Sequence, residues 1–346
     1  MNIKRREFLI FLGAGAGKIV LSSSQQEPSA KPAKKYPINN SSTNNINFQP
    51  PQSPIPLVTS NQEFKIDDYT TYEVADDLVI PKGFTYDIIA SWGDKIGDSR
   101  FGYNNDYLSY IETGENEGLL TINFEYISPL PWVTSYQKII GKSLPFLEIA
   151  SEFQEAVKSN INSQELLNKS PLKKQITTIA KEAMIDMGIG VISIRRQPDG
   201  QWVRTNSKFD RRITGISGLE DGHYLKSTGP AVAVFKKKGK GYDDKLGDRI
   251  IGSFANCAGG TTPWGTVFSA EENFQKYVVE AVYSDGTSID PTQDKSLFIG
   301  EQGVVGLGSA FGLAGNKYGW MVEVDPALPD DYGTKHTWLG RYRHEA

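Results

Sequence analysis

The chain has 346 residues, and its 37 Lys and Arg against 41 Asp and Glu leave a formal charge of −4. That balance argues against a general nucleic-acid or anionic-membrane surface, and the composition is that of a soluble globular protein with room for one large domain or two ordinary ones. With one cysteine the chain forms no internal disulfide, so Cys257 is a buried small residue, a free thiol or a metal ligand.

In chain order, the first feature is Lys4-Arg5-Arg6-Glu7-Phe8-Leu9 followed by a short apolar stretch through Leu21. Adjacent arginines before Phe-Leu resemble the twin-arginine export signal, an address read by the export machinery. Gly13, Gly15, Gly17 and Lys18 interrupt the apolar run, which is too short for a stable membrane span. Residues 1–24 are therefore expected to be a signal segment leading to the periplasm or beyond. Residues 25–62 are rich in Ser, Asn, Gln, Pro and Lys and cannot bury enough apolar surface to offset their ordering entropy. They read as a disordered linker, with the folded domain over 63–346.

From Tyr72 onward, short apolar and β-branched runs alternate with Gly, Asn, Asp and Pro. Leu78–Ile80, Tyr86–Ile89, Leu119–Ile122, Gly190–Ile194, Ala231–Phe235, Val267–Ala270 and Trp320–Val324 each read as a strand. Gly190 to Arg196, the turn Gln197-Pro198-Asp199-Gly200 and Gln201-Trp202-Val203 read as a hairpin. Between these runs, residues 144–187 carry apolar side chains near helical spacing, ending in Ile176, Ile179, Ala180, Ala183 and Met184. The expectation is a mainly β protein, a sandwich, barrel or propeller, with two or three inserted helices packed outside the β core.

The sequence has no phosphate-binding loop, dinucleotide fingerprint, nucleophile elbow or His-Glu-x-x-His helix, and three histidines make a histidine-rich zinc site improbable. Metal binding would fall to carboxylates and carbonyls, which suit hard cations such as calcium, with iron if a thiolate joins. The densest motif runs Asn256-Cys257-Ala258-Gly259-Gly260-Thr261-Thr262-Pro263-Trp264-Gly265-Thr266 and, after a strand, Glu271-Glu272-Asn273-Phe274. Adjacent strand residues face opposite sides, so only one of Glu271 and Glu272 can enter a given site. Solvated charges on an edge strand are the competing reading.

This block resembles the signature of the PhoX-type alkaline phosphatase family. Other family-like pieces follow the expected order: Phe101-Gly102-Tyr103-Asn104-Asn105-Asp106, Asn123-Phe124-Glu125-Tyr126, Arg211-Arg212-Ile213-Thr214, Gly229-Pro230-Ala231, Gly319 to Pro326, and Leu339 to Ala346. Phe124 stands where the family typically has His, and Ile189 where it often has His. The resemblance implies a β-propeller with a calcium- and iron-dependent phosphomonoesterase site acting on small phosphate esters. It marks Glu125, Glu272 and Glu345 as metal ligands, with Asp106 and Cys257 as further candidates. Arg343 would bind phosphate through its planar fork, and Asn105 would orient the site. The catalysis implied is metal-assisted, with clustered cations offsetting the phosphoryl charge.

Family members continue past the motif at which this chain stops. The resemblance therefore predicts an incomplete or open ring here, with little activity unless further sequence or a separate C-terminal polypeptide completes it. A propeller lactonase or esterase, and a non-enzymatic propeller relic, are the alternative readings.

Overall fold

The computed structural model of the protein describes residues 78–146, 172–293, 298–300 and 303–345. The expected signal segment 1–24, with Arg5 and Arg6, and the linker 25–62 lie outside these residues, as does 147–171. Residues 78–88 belong to one compact unit and residues 89–345 to another. Leu78–Ile80 and Tyr86–Ile88 are not strands: they carry no ladder pairing, and Leu78, Val79, Tyr86 and Ile88 are exposed.

The larger unit is mainly β. Its strands are β1 (Lys95–Ile96), β2 (Ser99–Arg100), β3 (Asn105–Gly114), β4 (Glu117–Phe124), β5 (Gly188–Arg196), β6 (Trp202–Arg204), β7 (Arg211–Thr214), β8 (Lys226–Thr228), β9 (Asn256–Thr261), β10 (Val267–Glu271), β11 (Phe298–Gly300), β12 (Gly303–Val305), β13 (Met321–Val324) and β14 (Thr334–His336). One five-stranded sheet has the order β3-β4-β5-β6, with β7 also paired to β5. A second has the order β8-β14-β13-β10-β9, antiparallel except for β14 against β8. The expected hairpin is β5–β6, with Arg196 opposite Trp202. The described strands show no closed barrel or ring of blades.

Of the expected helical insertion at 144–187, residues 147–171 lie outside the described residues and the helix α2 lies within it. Among the described residues the α-helices are α1 (Pro129–Ile140), α2 (Leu172–Asp186) and α3 (Val232–Phe235). Pro129 and Pro131 make the start of α1 look like a loop in sequence, yet proline fits a helix's first turn, where N–H groups have no intrahelical partner. Gly141, left-handed at φ 77°, ends α1 by donating its N–H to Gln137 O. In α2 the spacing of Ile176, Ile179, Ala180, Ala183 and Met184 does form one buried helical stripe. Ala231–Phe235, expected as a strand, contains α3 instead. Pro230 sets a turn-compatible φ, and the N–H groups of Val234 and Phe235 donate back to Ala231 O. A short apolar run does not distinguish strand from buried helix.

β5 is buried on both faces, which explains its continuous apolar sequence. Ile189 and Val191 face a core with Trp132, Tyr136 and the α2 stripe, while Ile192 and Ile194 face Phe101, Ile122 and Phe124. A buried network ties the helices to the first sheet. Arg100 donates to Asp186 at 2.6 Å and Glu182 at 2.8 Å; Trp132 Nε1 reaches Asp186 at 2.8 Å and Tyr136 OH reaches Glu182 at 2.5 Å. The N–H of Tyr103 donates to Asp186 O at 2.9 Å, so this network also holds the chain leading into β3. Gly102 lies so close to it that an added Cβ would sit 2.4 Å from Asp186 O and 2.6 Å from the Phe124 ring. Phe124 is a core residue, stacked under the Arg212 guanidinium at 4.2 Å.

Polar bonds join the two sheets where β3 and β4 pass β9. Ser109 Oγ and Thr261 Oγ1 are 2.6 Å apart, and Asn123 Nδ2 donates to Cys257 O at 2.7 Å. The second sheet buries an ion pair on one face and a histidine–carboxylate hydrogen bond on the other. Lys335 Nζ meets Glu271 at 2.6 Å on one, and His336 Nε2 meets Glu323 at 2.7 Å on the other.

Candidate metal centre

Five side chains from five separate segments converge. Asp106 comes from β3, Glu125 directly follows β4, Cys257 lies in β9, Glu272 directly follows β10, and Glu345 lies in the last segment. Ligand atoms of Asp106, Glu125 and Cys257 lie within 4.8 Å of one another, as do those of Cys257, Glu272 and Glu345. The two sets share the Cys257 sulfur.

Strand register produces this. Asn105 pairs with Phe124, which places Asp106 and Glu125 together at one end of the β3–β4 pair. Asn256 pairs with Glu271, which places Cys257 and Glu272 together at the open end of the β9–β10 hairpin. Each ladder shifts register at that end, between Asn105 and Leu108 and between Ser269 and Glu271, and such irregularities re-aim side chains. The same backbone device closes both ends. The N–H of Glu125 donates to the carbonyl of Asn104 at φ 48°, and the N–H of Glu272 to the carbonyl of Ala255 at φ 55°. Left-handed non-glycine residues are uncommon and here abut both carboxylates. Asn104 also donates from Nδ2 to Tyr126 O and Ser128 Oγ, each at 3.0 Å.

The paired glutamates diverge. Glu271 turns into the core, where it meets Lys335, Ser253 Oγ at 3.0 Å and the N–H of Gly319 at 2.9 Å. Glu272 turns to the cluster and accepts from Asn273 Nδ2. Asn105 is exposed and outside both ligand sets. Arg343 is ion-paired with Glu280, with both side chains about 43% exposed. The Thr262–Thr266 turn of the dense motif sits at the opposite end of the β9–β10 hairpin from Cys257 and Glu272. There Trp264 Nε1 and Thr266 Oγ1 bond Glu323 at 3.1 and 2.6 Å, so that half of the motif shapes the hairpin. Sequence reading overlooked Asn104, Asn123 and Ser253; the signal available for the first was an Asn-Asn-Asp run ahead of a strand, a composition that tolerates left-handed backbone.

The electrostatics are those of crowded negative charge. Burial, then repulsion from Asp106 and Glu272, pushes the Glu125 carboxyl up to about 7. Burial and repulsion from Glu345 raise Glu272 as well. Burial, a hydrogen bond to Asp106 and the neighbouring carboxylates push the Cys257 thiol up to about 12. A cavity of about 180 Å³ lies elsewhere, beside Lys181, Arg212, Glu220 and His223, and shares no residue with the cluster.

The sequence matches the family model described as alkaline phosphatase PhoX over residues 67–346.

The chain belongs to the PhoX alkaline phosphatase family.

Among solved structures, it is similar to Pseudomonas fluorescens PhoX in complex with vanadate, a transition state analogue. The identity is 26% and the TM-score 0.49, with 77% of this chain and 43% of that chain covered. The chain thus spans less than half the length of that PhoX structure. No curated protein matches it.

Proposed function

We propose that the cluster is a calcium- and iron-binding centre for the hydrolysis of phosphate monoesters, the activity for which the PhoX family is named. The observation that carries this reading is the convergence of four carboxylates and a thiol in two sets sharing Cys257. Oxygen donors suit calcium, and the sulfur adds the soft donor that favours iron. The raised carboxyl and thiol values fit such a group: the negative charges repel one another until cations compensate them.

When bound, the cations supply positive charge against the phosphoryl oxygens. The protein's part is to hold the ligand carboxylates rigidly through the Asn104 and Ala255 carbonyls. Arg343, partly exposed and ion-paired among the described residues with Glu280, exchanges that carboxylate for phosphate, whose geometry its fork matches. Asn105, exposed at the start of β3, orients the ester at the rim. The two large sheets are read as blades of the family's propeller.

The test is metal analysis of the purified chain with an assay on p-nitrophenyl phosphate. Stoichiometric calcium and iron, both reduced in Glu125→Gln, Glu272→Gln and Glu345→Gln, are expected. Metal content indifferent to all three substitutions would refute the reading.

Export by the twin-arginine route belongs to the same proposal. It rests on Arg5-Arg6 and the weakly apolar run behind them, and no helix among the described residues is long and apolar enough to cross a membrane. Replacing both arginines with lysine should retain the protein inside the cell. Unchanged export of that variant would remove the assignment.

A further inference from the structure

Glu345 reaches the cluster from a segment with no sheet pairing: residues 340–345 belong to no strand or helix. A carboxylate on such a segment needs an anchor, and the Arg343–Glu280 pair is too exposed to be a strong one. Arg341 is better placed. Its Nε donates to Tyr318 O at 2.8 Å and its Nη2 to Gly315 O at 3.1 Å. Its guanidinium carbon lies 4.6 Å from the centroid of Phe274 and 5.7 Å from that of Trp320. It makes no ion pair among the described residues.

These partners lead to the other half of the site. Phe274 is two residues beyond Glu272, and the N–H groups of Gly319 and Trp320 donate to Glu271 at 2.9 and 3.3 Å. One guanidinium therefore grips both the segment following Glu272 and the turn that holds Glu271, four residues before Glu345 in the chain.

We propose that Arg341 is a positioning residue that sets Glu345 against Glu272 and Cys257. It thereby governs ion affinity at that ligand set while leaving the Asp106–Glu125–Cys257 set in place. The proposal rests on the metal-centre reading above.

The experiment uses the full chain, stripped with chelator, with calcium titrated by calorimetry and iron content measured after reloading. R341M should weaken binding of one ion class by about 10–100-fold, the usual effect of removing a group that orients a ligand. R341K should restore little, because an ammonium cannot bond two carbonyls and stack as the planar fork does. E345Q should show a similar loss, and R341M/E345Q should be no worse than E345Q alone. If R341M does not fold, the R341K/E345Q cycle reads the same coupling. Unchanged binding in the Arg341 variant, or losses that add in the double variant, would overturn the proposal. If E345Q and E125Q both leave binding intact, the metal-centre reading fails and this one with it; a loss in E345Q with additive Arg341 effects defeats only the positioning role.

Discussion

Replacing Lys335 with methionine tests the least forgiving contact in the second sheet. Lys335 on β14 and Glu271 on β10 are both fully buried, their side chains meeting at 2.6 Å across β13, which lies between the two strands. The ammonium also bonds Lys317 O at 3.3 Å and lies 4.0 Å over the Tyr318 ring. Methionine keeps the apolar stem and leaves the Glu271 charge without a cation. Glu271 would retain three donors, from Ser253 Oγ and the N–H groups of Gly319 and Trp320. Breaking one partner of a buried pair costs about 3–5 kcal/mol, whereas replacing both is far less costly. At about 2–4 °C per kcal/mol the melting temperature should fall by about 6–20 °C. The double variant Glu271→Gln/Lys335→Met should recover much of that loss, since a neutral amide needs no counter-charge. Urea and thermal melts of the full chain measure Lys335→Met, Glu271→Gln and the double variant. A Lys335→Met change under about 1 kcal/mol, or a double variant as unstable as the sum of the singles, would show that the pair does not act as a buried ionic unit.

Three further outcomes are expected. Glu125 titrates higher in the folded protein than its ordinary 4.5, up to about 7, so the metal-free fold binds an extra proton in that window. The stability contributed by Glu125 is therefore fully present below the unfolded value and is lost as pH rises through about 7; Glu125→Gln should remove that contribution from pH-dependent melts, and a pH dependence unchanged by the substitution would contradict the assignment. With its thiol near 12, Cys257 is ionised in only about one molecule in 10⁴ at pH 8, so alkylation of metal-free protein should be far slower than that of an exposed model thiol; rapid labelling would refute the buried, repelled environment. Trp264→Phe removes one bond to Glu323 and should cost about 1 kcal/mol in melts without changing bound metal; metal loss would mean that the remote turn does communicate with the site.

Local chemistry in the chain was enough to identify several parts of this protein. The β5–β6 hairpin follows from a Pro-Asp-Gly turn between apolar runs, and the α2 stripe from its spacing, because both depend on neighbours in sequence. The ordered motifs likewise led to the family. Alternation alone separated Glu271 from Glu272, although not which of them turned inward. The apolar run at α3 misled because its conformation depends on where a short segment packs. Ala255 lies outside the quoted motifs, and Asn104 and Arg341 lie inside them with no role assigned; their roles appear only once strand ends from distant segments meet. What the sequence determined is the inventory of donors and the strands that bear them. Their meeting was decided by tertiary structure, since ladder register and two left-handed residues set which side chains share a space. Those terms arise between segments as much as 239 residues apart, the separation of Asp106 from Glu345 in the numbering, and no local pattern encodes them.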